Sequence, residues 1–138
     1  KPASAEAWTD YPLFRLGEIY LNLAEAVLRG GQGATKTEAL GYVNDLRKRA
    51  YSDKASAPIS DSDFTLDFMM DERARELFYE AQRRTDLIRF GKYTSADYVC
   101  PWKGGVAALK SVESCYQVFP LPSDGVGSNQ NLVQNEGY

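Results

Sequence analysis

Apolar side chains recur at the three-and-four spacing of an amphipathic helix through Phe90, and then the rhythm stops. Leu13, Leu16, Tyr20, Leu23, Ala24, Val27 and Leu28 form one stripe, which predicts a helix from Leu13, with Pro12 suited to a first helical turn. Gly30-Gly31-Gln32-Gly33 follows at once, and glycine accepts the left-handed conformation that ends a helix. Thr35 and Glu38 then make a capping-box pattern. The helix after it carries Ala39, Val43, Leu46 and Ala50 on one face and Asp45, Lys48 and Arg49 on the other. Two antiparallel helices joined by a short Gly-rich loop form a helical hairpin. Within the first of them, Leu16-Gly17-x-x-Tyr20 fits part of the tetratricopeptide pattern, where a small residue allows close approach of a partner helix.

Ser52 to Asp63 is polar and holds Pro58, with Asp61, Ser62 and Asp63 as helix-cap candidates. A third helix is predicted from Phe64 to about Gln82, with Met70, Ala74, Leu77, Phe78 and Ala81 facing the core. Arg83 to Phe90 continues it or forms a short helix after a bend, stopped at Gly91. Beyond Gly91, Cys100-Pro101-Trp102-Lys103-Gly104-Gly105 is turn chemistry. Tyr116 to Phe119 reads as a short extended run, and Ser123 to Tyr138 as an irregular tail over the surface. The fold class is therefore mainly α, built on antiparallel helix pairs, with an irregular carboxy-terminal third.

Composition narrows the chemistry. The 138 residues fit one domain, 1–138, with 43% hydrophobic and 25% charged residues, as in an ordinary globular protein. Sixteen basic and nineteen acidic side chains leave a net charge of −3, which gives no electrostatic case for nucleic acid as a partner. There is no histidine, so the commonest general base and metal ligand is missing, and no metal or cofactor is expected. Two cysteines, Cys100 and Cys115, suffice for one disulfide in an oxidising compartment; the other reading is two separate thiols. No apolar run approaches the roughly 20 residues of a membrane helix. Lys1 to Asp10 lacks a signal-peptide core, and without an initiator Met the chain reads as a piece of something longer.

Three places carry candidate chemistry. Glu72, Glu76 and Glu80 lie four apart and so share one side of a helix. Paired carboxylates can hydrolyse a glycosidic bond. Arg75, Arg83 and Arg84 nevertheless stand three or four residues away, and arginine pairing holds a carboxylate ionised where a general acid must be protonated. A structural ion-pair network is the expectation and a glycoside hydrolase the distant alternative, with no catalytic residue assigned. Secondly, Arg83, Arg84 and Arg89 are diluted by Asp86 and make a poor phosphate patch. Thirdly, Tyr98 and Trp102, beside Gly104-Gly105, are the candidate ligand contacts, because an exposed ring stacks on a sugar face; Trp102 plugging the helical core is the alternative. No phosphate loop, dinucleotide fingerprint or nucleophile elbow occurs.

Four ordered stretches resemble the SusD/RagB family of Bacteroidetes outer-membrane proteins. They are Tyr11-Pro12-Leu13-Phe14-Arg15-Leu16-Gly17-Glu18-Ile19-Tyr20, then Asn44-Asp45-Leu46-Arg47-x-Arg49-Ala50, then Asp71-Glu72-Arg73-Ala74-Arg75-Glu76-Leu77 running on to Gly91, and finally Phe119-Pro120-Leu121-Pro122 with the ending Gln134-Asn135-Glu136-Gly137-Tyr138. Departures are few: Asp71 stands where the family has Asn, Ala81 where it has Gly, and Gln130 and Glu136 where it has Pro. The resemblance implies the carboxy-terminal portion of a non-catalytic glycan- or nutrient-binding lipoprotein with a tetratricopeptide-like scaffold. It implies a surface-exposed outer-membrane location, lipid-anchored through an upstream segment. It also implies a partnership with a TonB-dependent β-barrel transporter, to which oligosaccharides are passed. An interaction scaffold that docks the transporter without touching sugar is the alternative. The quoted motifs are scaffold in this family, so no binding residue is carried over from it.

Overall fold

The computed structural model describes residues 12–52, 58–98, 107 and 111–138. The chain divides into two compact units, residues 1–83 and 84–138. The described residues are helical and contain no strand.

Unit 1 is a hairpin braced by a third helix. Helix α1 spans Leu16–Leu28, α2 spans Lys36–Tyr51 and α3 spans Leu66–Glu76, and α1 packs on both others. The stop after α1 is a double backbone closure: the Gly31 N–H donates to Ala26 O (2.8 Å) and the Gly30 N–H to Val27 O (3.0 Å), with Gly30 at φ +89°. The predicted capping box on α2 is present. Thr35 Oγ1 accepts from the Glu38 N–H, and the Glu38 carboxylate accepts from the Thr35 N–H. The core joins Leu21 and Ala24 of α1, Ala39, Val43 and Leu46 of α2, and Phe64, Met69 and Leu77.

From Tyr20 on, the expected stripe of α1 meets the core: Ala24 is buried, and Tyr20, Leu23, Val27 and Leu28 pack against the core partly buried. Gly17, Leu21, Ala24 and Glu25 are buried, while Leu13 and Phe14 precede the helix and are exposed. Ala50 is exposed too, and Arg47 takes the inward place beside Leu46. The third helix is shorter than predicted. Its cap is Thr65, which accepts from the Phe68 N–H (3.2 Å), rather than Asp61, Ser62 or Asp63. It ends at Glu76 because the chain turns through two left-handed residues, Tyr79 (φ +62°) and Ala81 (φ +57°). Phe78, expected in the core, is on that turn and exposed.

Helix α4 spans Arg83–Arg89, with unit 2 starting at its second residue, and is closed at Gly91 (φ +68°) by the same double closure used after α1: Gly91 N–H to Ile88 O and Lys92 N–H to Leu87 O. Two expectations are corrected further on. Ser114–Gln117 is a 3₁₀ turn rather than the start of an extended run, and the tail contains a six-residue helix, α5, Ser123–Ser128. The Ser128 hydroxyl donates to Asp124 O (2.7 Å) and helps to close α5.

Candidate functional site

Glu76 in the last turn of α3 is the hub of an arginine–glutamate lattice within unit 1. Arg15, just ahead of α1, donates from Nη1 to Glu76 Oε1 (2.5 Å) and from Nε to Glu80 Oε2 (2.7 Å), and its Nη2 reaches the Glu76 carbonyl. One guanidinium thus ties the entry of α1 to the end of α3 and satisfies a carbonyl the helix leaves open. The bond to Glu80 raises the Arg15 pKa above the ordinary arginine value; burial opposes this and Glu76 reinforces it. Arg49 of α2 donates to both Glu76 oxygens (2.5 and 2.7 Å). Gly17 makes room for the hub, since a Cβ there would lie 2.5 Å from Arg15 Nη1 and 2.8 Å from Glu76 Oε1. The small residue of the tetratricopeptide-like pattern therefore admits an ion pair.

One turn earlier, Glu72 accepts from Arg47 of α2 (2.8 Å) and from Arg75 (2.7 Å). Arg73 is fully buried and donates to Asn22 Oδ1 of α1 (2.6 Å). Glu25, 3.9 Å from Arg73, is bonded by Arg29 (2.9 Å). The predicted ion-pair network exists, and Arg15, Arg47 and Arg49 from outside α3 join it. Arg75 pairs with Glu72, Arg83 donates to Met70 O (2.7 Å) and lies 3.9 Å from Asp71, and Arg84 belongs to unit 2. Both carboxylates of the hydrolase alternative are buried and held by two arginines each. Two guanidinium partners each commit both groups to the structural network. Among the described residues no group of three or more acidic or thiol side chains could hold a metal.

In unit 2 the carboxy-terminal motif is also engaged internally. The Gln134 side chain accepts from the Leu121 N–H (2.8 Å) and donates to Leu121 O (2.9 Å). Asn135 donates to Phe119 O (2.7 Å) and the Tyr138 hydroxyl to Val118 O (2.9 Å). Arg84 lies over the rings of Phe119 (4.2 Å) and Tyr93 (5.2 Å) and donates to Tyr116 O and Gln117 O. In unit 1, Asn44 grips Ile59 as Gln134 grips Leu121, accepting from its N–H (2.8 Å) and donating to its carbonyl (3.2 Å).

Among the described residues, an open depression of about 600 Å³ in unit 1 is lined by Ala50, Tyr51, Ala74 and Phe78 together with Asp71, Glu72, Arg75 and Glu76. Another, about 460 Å³ in unit 2, surrounds the half-buried Cys115. Of the ligand residues expected from the sequence, Tyr98 is half-buried in a turn, its N–H donating to Ser95 O (3.4 Å). Beside it the Lys92 ammonium bonds Asp97 and holds that carboxyl below the usual range. Trp102 and Cys100 lie outside the described residues, so neither the Tyr98–Trp102 pairing nor the Cys100–Cys115 bond is tested. The exposed rings of Phe78 and Tyr79, 4.5 Å apart, were not anticipated, because apolar spacing carries no sign of the turn that exposes them.

A braced helical hairpin whose charged motif residues are engaged in internal pairing defines an all-helical scaffold. The SusD family model matches residues 3–138, and the chain belongs to the SusD family. It is 42% identical to the starch-binding protein SusD of Bacteroides thetaiotaomicron, over all of this chain and 24% of that protein. Surface glycan-binding protein A of the same organism superposes with a TM-score of 0.72 at 33% identity, over 91% of this chain and 24% of that one. Its complex with laminarihexaose gives 0.71 at 32% identity with the same coverage. The chain thus spans about a quarter of the length of these relatives. No helix among the described residues is long and apolar enough to cross a membrane.

Proposed function

We propose that the chain is part of a non-catalytic outer-membrane lipoprotein that captures oligosaccharides for a TonB-dependent β-barrel transporter. The observation that carries this reading is the 42% identity along the whole chain to a protein named for starch binding. The saturated lattice around Glu72 and Glu76 supports the non-catalytic part. Within this reading Tyr98 and Trp102 are the proposed sugar contacts, and Cys100 and Cys115 the proposed disulfide that steadies the loop between them.

A second reading, a docking scaffold that never touches sugar, is favoured by one observation. The motif side chains are spent on the scaffold, and Phe14, Phe78, Tyr79 and Phe119 are left facing outward. Affinity electrophoresis of the polypeptide through gels containing soluble starch or laminarin separates the two. Retardation that Trp102→Ala abolishes supports the sugar-contact assignment, and unretarded migration in every glycan refutes capture. Release of reducing sugar from either glycan would overturn the non-catalytic reading. Intact mass before and after reduction and alkylation decides the disulfide.

A further inference from the structure

The turn that ends at Tyr98 is closed by local bonds and fastened again from a distant part of unit 2. Locally, the Ser95 N–H donates to Lys92 O (3.3 Å), the Tyr98 N–H to Ser95 O (3.4 Å), and the Lys92 ammonium pairs with Asp97 (3.0 Å). The N–H groups of Lys92 and Tyr93 share Leu87 O at the end of α4 (2.8 and 3.1 Å). A short turn closed by its own bonds opens at little cost. What fastens it from outside therefore decides how firmly Tyr98 is placed.

That fastening comes from the 3₁₀ turn Ser114–Gln117. Gln117 Nε2 donates to Thr94 Oγ1 (2.8 Å) across a separation of 23 residues. Arg84 clasps the same two segments. Its guanidinium lies over the Tyr93 ring (5.2 Å) and the Phe119 ring (4.2 Å) and donates to Tyr116 O (2.8 Å) and Gln117 O (3.2 Å). A planar fork can stack and donate at once, which an ammonium group cannot. Behind the 3₁₀ turn, Tyr138 meets Tyr116 edge to face (6.0 Å) and bonds Val118 O. Gln117 is exposed, and exposed substitutions change global stability little, so its bond to Thr94 acts locally on the turn. Holding a contact residue in place before binding improves affinity by removing the cost of ordering it on binding.

We infer that Arg84 and Gln117 are positioning residues for ligand: without touching sugar themselves, they hold the Lys92–Tyr98 turn in the conformation in which Tyr98 meets it. The inference rests on the proposal that Tyr98 is a sugar contact. It gives the 3₁₀ turn, and the chain-ending motif behind it, a task beyond completing the scaffold.

The test joins affinity electrophoresis in soluble starch and laminarin to amide exchange, both on the native protein. Gln117→Ala, which trims an exposed side chain, is the principal variant, and Arg84→Met is the second. Each should speed exchange of the Ser95 and Tyr98 amides roughly fivefold, while the bonded Gly31 amide of unit 1 keeps its rate. Each should weaken retention by roughly two- to tenfold. Added to Tyr98→Ala, neither should weaken it further, because a residue acting through Tyr98 then has nothing left to position. A role in stability alone would speed exchange in both units and show no such coupling. Unchanged exchange at Ser95 and Tyr98 in Gln117→Ala overturns the inference, and so does full retention on a loosened turn. Losses that add in full to that of Tyr98→Ala overturn it as well, since the two residues then act elsewhere. If Arg84→Met does not fold, Gln117→Ala decides alone. Retention untouched by Tyr98→Ala removes the contact and the inference together. Unretarded migration of the unsubstituted protein is a failure of glycan capture itself and takes the inference with it, whereas a failure of positioning alone is seen only in the variants.

Discussion

Replacing Ala81 by glycine should stabilise the protein, although the same substitution in a helix destabilises it. Ala81 sits at φ +57° on the turn that separates α3 from α4, and its side chain is exposed. An L-residue in the left-handed region costs about 1–2 kcal/mol through the approach of Cβ to the backbone carbonyl. Glycine escapes that cost but loses about 0.5–1 kcal/mol through its greater freedom in the unfolded chain. No packing is removed with an exposed methyl group, so the balance is roughly 0.5–1 kcal/mol in favour of glycine. With a urea dependence of about 1–3 kcal/mol per molar, the midpoint should rise by about 0.2–1 M. Ala26→Gly is the matched control: Ala26 is exposed within α1, and there glycine should cost up to about 1 kcal/mol. Urea unfolding followed by far-UV circular dichroism measures both. An Ala81→Gly midpoint equal to or below that of the parent protein refutes the left-handed assignment. The SusD/RagB pattern has glycine at this place, and the turn supplies the physical reason.

Three further outcomes are expected. Glu72→Ala removes the carboxylate that the buried Arg47 bonds at 2.8 Å and should lower unfolding free energy by about 3–5 kcal/mol, whereas Glu72→Leu with Arg47→Met should recover most of that loss in the same urea assay. Gln134→Ala strips both hydrogen bonds from the Leu121 backbone and should cost about 1–3 kcal/mol, with faster amide exchange at Leu121 as the local sign. The Glu38 carboxylate, bonded by the Thr35 N–H and hydroxyl, should titrate below the ordinary value of 4.5. Because that pKa is depressed, its contribution to stability is present above the unfolded carboxylate range and lost as pH falls through the folded value. Thr35→Val should move the Glu38 carboxyl resonance midpoint back towards 4.5 in an NMR titration, and an unmoved midpoint would count against the capping box.

Features set by near neighbours were legible in the sequence. Thr35 with Glu38, and the glycines at 30 and 91, act on backbone groups within a few residues, so spacing alone identified them. The start of α1 differs from the reading because Leu13 continues the apolar rhythm although the helix begins only at Leu16. The end of α3 was misread because Tyr79 and Ala81 adopt a glycine-like conformation without being glycine. Helix α5 had no apolar period to reveal it. Charge pairing was foreseen in kind, but Arg15 and Arg47 reach Glu76 and Glu72 from other helices, and no local spacing encodes such distant partners. The candidate ligand loop could be located only by residue type. Tyr98 is half-buried, and the arrangement that would make a ring and a polar group into a sugar site is a property of tertiary placement.

The grips of Asn44 on Ile59 and of Gln134 on Leu121 bear on how a scaffold of this kind can change over time. Each side-chain amide does the work of a strand neighbour for one residue only, holding a loop at a single point with two hydrogen bonds. A loop held in a sheet must keep length and register along a whole edge, whereas a loop pinned at one residue must keep only the pin. Segments on either side of such a pin can lengthen, shorten or change chemistry while the helices beneath stay in place. The surface such a loop presents can then change at little cost to folding, because the fastening and that surface are carried by different residues.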